Sequence, residues 1–165
     1  MIRDEELNRL IKYAQGLGLS VHFKPYVKGS NVGGGWAIDG SEINVYVGPN
    51  EPKINKILYL IHEISHHKGF IENGRTIDPR IVEALNDEDE GRRNRKRIYM
   101  DEVEDTKHWE QIYNDCNLQF PIRKLYEERD FDIWTYKRYY EDGKFPTQKE
   151  KREKSKELKK KYSKT

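Results

Sequence analysis

Residues 57–67, Ile57-Leu58-Tyr59-Leu60-Ile61-His62-Glu63-Ile64-Ser65-His66-His67, constrain this chain more than any other stretch, because they set the pattern His-Glu-x-x-His inside an apolar run. Ile54, Ile57, Leu58 and Ile61 recur at helical spacing, which predicts a buried helix. Residues four apart stack on one helix face, so His62 and His66 can present two ring nitrogens to one metal ion. Glu63 stands one position round the helix, within reach of a water at that ion without ligating it. Metal-assisted hydrolysis needs this arrangement: Zn2+ lowers the pKa of its water to about 7, and the carboxylate accepts the proton as the water attacks a carbonyl. The plain alternative is three ordinary histidines on a core helix.

Composition bounds the setting. The chain has 165 residues, 36% charged and 35% hydrophobic, with 11 Tyr and 3 Trp supplying bulk that the aliphatic content does not. That is enough for one domain with a real core and a solvated remainder. Cys116 is the single cysteine, which excludes an internal disulfide and fits a reducing compartment. No apolar run approaches the roughly 18 residues of a membrane span. The polar start Met1-Ile2-Arg3-Asp4-Glu5-Glu6 has no secretory apolar stretch, so a cytoplasmic location is expected. The net charge of +2 is uneven: Thr147–Thr165 carries nine Lys or Arg against three Glu, which leaves the first 146 residues mildly acidic.

Along the chain, Glu5–Gly16 reads as an amphipathic helix with Leu7, Leu10, Ile11 and Ala14 on one stripe, ended by Gly16 or Gly18. Ser20–Tyr26 alternates and reads as a strand stopped at Pro25, with His22 on its solvated face. Lys28–Gly35 reads as a flexible glycine-rich hairpin tip; no Lys-Ser/Thr pair and no helix follow it, so it is not a phosphate loop. Trp36-Ala37-Ile38 and Ile43–Val47 flank the turn signal Asp39-Gly40 and predict a hairpin. Asn50 is expected to cap the histidine helix, with Pro52 in its first turn and Gly69 at its end.

Beyond it, Pro79–Leu85 reads as a short helix and Asn86–Arg97, acids followed by bases, as an exposed loop. Ile98–Asn117 reads as a second major helix with Ile98, Asp105, Trp109, Ile112 and Cys116 close to one stripe. Glu102 and Asp105 fall on that core-facing side, and carboxylates seldom sit beside Trp and Ile unless something positive meets them. A cation on His62 and His66 would do so. A catalytic zinc takes three protein ligands, and Asp105, Glu102, Glu104 and His108 are the candidates for the third. Ile122–Tyr140 reads as a further helix, in which Trp134-Thr135-Tyr136-Lys137-Arg138-Tyr139-Tyr140 is expected to pack its rings and expose its charges rather than stack on bases. Gly143–Pro146 is a hinge, and the lysine-rich 147–165 a tail, helical or disordered.

Leu60–His66 and the hairpin feeding it resemble the zincin metallopeptidases. Asp105–Leu118 is similar to the SprT-like pattern, in which a metal-binding His precedes a Trp or Phe by four residues and a Cys-Gly pair follows; Asp105 stands in the place of that His and Asn117 in that of the Gly. Glu102-Val103-Glu104-Asp105 with Phe120-Pro121 is loosely similar to the ImmA/IrrE branch. The resemblance spans roughly Trp36–Leu118 and implies an α+β fold, with a short twisted sheet packed on the active-site helix and a second helix. It further implies that the strand Ile43–Val47 is an edge to which extended peptide is added. The expected layout is a zincin-like domain over 1–146, including a helical extension, and the basic tail over 147–165. The resemblance implies Zn2+ held by His62, His66 and Asp105, with Glu102 the next choice for the third ligand, and a bacterial or phage setting.

Two functions compete. One is a zinc-dependent peptidase acting on a protein or peptide, with Glu63 as general base. The other is a non-catalytic, metal-stabilised binding or structural protein, phage- or DNA-associated, whose basic tail 147–165 contacts nucleic acid.

Overall fold

The computed structural model describes residues 4–26, 34–37, 40–86 and 91–163. The expected glycine-loop tip over Lys28–Gly33, the turn residue Asp39, and the acidic half of the charged run, Asp87–Glu90, lie outside the described residues. The fold is α+β, as expected. By compactness the chain falls into two units: 1–76 with 107–120, and 77–106 with 121–165.

The first unit begins with α1 (Asp4–Gly16), which opens on three acids where the helix dipole favours them. Leu10 and Ala14 are buried on its inner face, and buried Glu6 accepts the Gln119 backbone N–H at 2.6 Å. Gly18, at φ +89°, ends it: the Leu19 N–H reaches back to the Ala14 carbonyl and the Gly18 N–H to that of Gln15. Of the two expected stops, the left-handed position selects Gly18.

Three strands follow, β1 (Ser20–Pro25), β2 (Gly34–Trp36) and β3 (Glu42–Val47), in the order β1-β3-β2. β1 runs parallel to β3 in the register Val21↔Ile43 and Phe23↔Val45, and β2 runs antiparallel to it with Trp36↔Ile43. The expected hairpin is therefore present, but two expectations are corrected. Gly34 and Gly35 are strand residues paired with Val45 and Asn44 rather than part of a loop tip. β3 is the central strand, paired with β1 along its length and with β2 at Ile43–Val45, so that stretch offers no edge to an added peptide.

Ile43 and Val45 on β3 are fully buried, and α2 (Lys53–Glu72) packs across β2, β3, α1 and α5 (Trp109–Asp115). Its inner face is Ile57, Leu60, Ile61 and Ile64. Both expected boundaries shift. Pro52, not Asn50, is the N-cap, and no side chain caps this end. Gly69 lies buried inside the helix, and the stop is Gly74 at φ +69°, with the Arg75 N–H on the Phe70 carbonyl and the Gly74 N–H on that of Ile71.

The expected single helix over 98–117 is in three pieces: α4 (Arg92–Asp105), a 3₁₀ turn (Thr106–His108) and α5. Asn117, at φ +47°, closes α5 with the Leu118 N–H on the Tyr113 carbonyl. This left-handed site is one that Asn or Gly readily adopts.

In the second unit α3 (Pro79–Asn86) and α6 (Ile122–Asp142) pack on α4, and α7 (Gln148–Tyr162) packs on α6. Arg92–Arg97 forms the first turns of α4 rather than a loop, because its cations find partners: Arg92 lies over the Tyr140 ring, Arg95 donates to the Tyr140 carbonyl at 3.4 Å, and Arg97 faces Glu83 at 3.7 Å. Ala84, Ile98 and Tyr139 form a core with Tyr136 against it, Tyr99 stacks on Tyr140, and Tyr139 stacks on Phe145. The tyrosines of the 134–140 segment are thus spent on internal packing. No helix among the described residues is long and apolar enough to cross a membrane.

Candidate metal centre

His62 and His66 are one turn apart on α2 and both half-buried, whereas Glu63 between them is 6% exposed. Their Nε2 atoms approach to 3.0 Å, with the rings edge to face at 78°. Two nitrogens each about 2.0–2.1 Å from one tetrahedral zinc stand roughly 3.3 Å apart, so the pair fits a shared cation with little adjustment. Each ring can offer one nitrogen to such an ion. The donor type is also right, since neutral imidazole is a common zinc ligand.

The pair is held from behind by groups that the spacing of the histidines does not reveal. Ser65 Oγ, 1% exposed, donates to the His62 carbonyl at 2.6 Å and accepts the Trp109 indole N–H at 3.2 Å. The Trp109 ring meets the His62 ring edge-on, with centroids 5.8 Å apart. Trp109 is buried because it opens α5, the segment that packs on α2. Its sequence signals were membership of the apolar stripe with Ile112 and its place four residues after Asp105.

His67, fully buried, faces away from this pair. Its Nδ1 accepts the Trp36 indole N–H at 3.3 Å, so Nε2 carries the proton and donates to the Leu17 carbonyl at 3.1 Å. Burial holds the ring below its ordinary imidazole value, against the Leu17 hydrogen bond, and the charge of Arg75 lowers it further. Neutral and doubly bonded, His67 ties β2 and the end of α1 to α2, and takes the structural role of the three histidines.

The candidate third ligands differ in their surroundings. His108, also buried, has its Nε2 3.5 Å from the carboxylate of Glu72, which Lys107 meets at 3.1 Å. The Lys107 hydrogen bond holds that carboxyl below its usual range. His108 is thus drawn to the end of α2, a turn and a half beyond His66. Glu102, Glu104 and Asp105 lie on α4, in the second unit; Asp105 is buried, Glu102 half-buried and Glu104 exposed. His22 is half-exposed beside Glu42 at 3.7 Å on the sheet, as expected of a solvated strand residue. Compared with known proteins, the chain matches no family model, no curated protein and no solved structure.

Proposed function

We propose that this protein is a zinc-dependent peptidase of zincin type, acting on a protein or peptide. The observation that carries the reading is the convergence of His62 and His66 at 3.0 Å, next to Glu63 and braced by Ser65 and Trp109. His62 and His66 hold the ion, and Asp105, a buried carboxylate, is proposed as third ligand. Glu102 is the next choice. When bound, zinc polarises the scissile carbonyl and lowers the pKa of water at the site to about 7. Glu63 accepts the proton of the attacking water and returns it to the departing amine. A cytoplasmic setting belongs to the same reading, since a lone, buried Cys116 suits a reducing compartment.

The test pairs metal content with cleavage of an unstructured protein such as casein by the full chain. The wild type should carry about one zinc per chain, His62→Ala and His66→Ala should lose it, and Asp105→Ala should hold it far more weakly. Glu63→Gln should keep the zinc while cleavage falls by a factor of about 10²–10⁴. Zinc retained in His66→Ala, or full cleavage by Glu63→Gln, would overturn the proposal. Tight zinc without cleavage in the wild type would instead establish the metal-stabilised binding protein.

A further inference from the structure

We propose that the outward face of α7 binds the phosphate backbone of duplex DNA, a function independent of the metal centre. α7 carries eight Lys or Arg against three Glu, a composition that ordinarily gives a solvated coil. Here it is a helix fixed at both ends. Thr147 and Glu150 form a reciprocal capping box, with the Thr147 N–H on Glu150 at 2.8 Å, and Arg138 of α6 meets the same carboxylate at 3.1 Å. At the other end Leu158 is 3% exposed, and Lys161 and the Tyr162 hydroxyl both donate to Asp130 at 2.6 Å.

This anchoring sorts the charges. Glu150 is occupied by the cap and Arg138, and Glu157 is paired with Lys154 at 2.7 Å. Lys149, Arg152, Lys156, Lys159 and Lys160 are exposed, and none has an ion pair among the described residues. Lys149, Arg152, Lys156 and Lys160, three and four residues apart, lie on the side opposite Leu158, with Lys159 at its flank and Glu153 the single acid within the row. At 1.5 Å per residue the row from Lys149 to Lys160 is about 16 Å long, a length that passes many phosphates at one duplex charge per about 1.7 Å of axis.

The chemistry of the face selects the occupant. It has no outward aromatic ring, which argues against single strands, whose bases stack on such rings. Its apolar side is already used, by Leu158 against the body and Tyr162 against Asp130 and Tyr126, so it lacks the free apolar face that a membrane-surface helix inserts. What remains is a rigid row of cations suited to a repeating polyanion.

The test uses the full chain, a random-sequence 30-base-pair DNA and, separately, vesicles of phosphatidylserine and phosphatidylcholine. With five cations releasing counterions, the wild-type affinity for the duplex should fall roughly 500-fold between 50 and 200 mM salt. The triple variant Lys149→Gln, Lys156→Gln, Lys160→Gln, which leaves the cap, Leu158 and Asp130 contacts untouched, should show only about a tenfold fall over that range. Glu153→Gln, which removes the single acid from the row, should bind more tightly than the wild type and serves as the second variant. No duplex binding by the wild type, equal binding by the triple variant, or binding of the vesicles but not the DNA would each overturn the proposal.

Discussion

The indole of Trp109 donates to Ser65 Oγ at 3.2 Å, and that hydroxyl donates in turn to the carbonyl of His62 at 2.6 Å. One serine thereby joins α5 to the turn of α2 that carries the candidate ligand. Ser65 and Trp109 are both buried, so the hydroxyl satisfies an indole N–H that water does not reach while donating its own proton to half-buried His62.

Removing Ser65 should leave a buried indole N–H without an acceptor, and Ser65→Ala is expected to cost about 1–3 kcal/mol. Trp109→Phe takes away the donor but keeps a ring against His62. In the double variant neither partner is stranded, so its loss should be smaller than the two single losses together. Urea unfolding of the four proteins reads this directly, and losses that add to within about 0.5 kcal/mol would mean that the two groups do not interact.

Gly40 follows the expected turn residue Asp39 and adopts φ +71°. A Cβ there would lie 2.8 Å from Phe70 Cε1 and 3.4 Å from His67 Cε1, so a side chain would meet both the left-handed backbone penalty and a ring of α2. Gly40→Ala should cost roughly 2 kcal/mol or more. Gly35→Ala is the control, because nothing lies within 4 Å of its added carbon and its φ is not left-handed. Thermal unfolding should show a clear drop in Tm for the first and little change for the second.

Burial raises the carboxyl pKa of Asp130, but the hydrogen bonds from Lys161 and Tyr162 and the nearby charges outweigh it and hold the group below its ordinary value of 3.8. A carboxylate with a depressed folded value contributes stability that is complete above the unfolded pKa and is lost as the pH falls through the folded one. Asp130→Asn should therefore loosen α7 at pH 7, while the difference between variant and wild type should close as the pH drops below about 4. Amide hydrogen exchange across 148–162 measures this; a difference that persists unchanged at pH 2 would assign the effect to packing rather than charge.

Much of the candidate site could be read from local spacing. The apolar positions of 54–61 and the i, i+4 histidines both depend on helix periodicity, which neighbouring residues set among themselves, and α2 forms as expected. The chain stops were less legible. Gly69 and Gly74 are equally good glycines by type, and only the hydrogen bonds of the left-handed turn at Gly74 distinguish them. Likewise, the roles of His67 and His108 are invisible in a cluster of histidines, because they are set by Trp36, Leu17 and Glu72, each more than 30 residues away in sequence.

The sequence by itself determined the helix that carries His62, Glu63 and His66, the hairpin that leads into it, and the placing of the lysines of 147–165 at helical intervals, since each follows from side chains within a few residues of one another. Tertiary structure alone decided that Ile43–Val45 lies between two strands rather than at an edge, that Ser65 and Trp109 brace the histidine pair, and that the lysine-rich segment is held as a helix through Asp130, Arg138 and Leu158. Strand pairing, buried relays and helix docking join residues far apart along the chain, and a local pattern holds no record of which distant partner will be there.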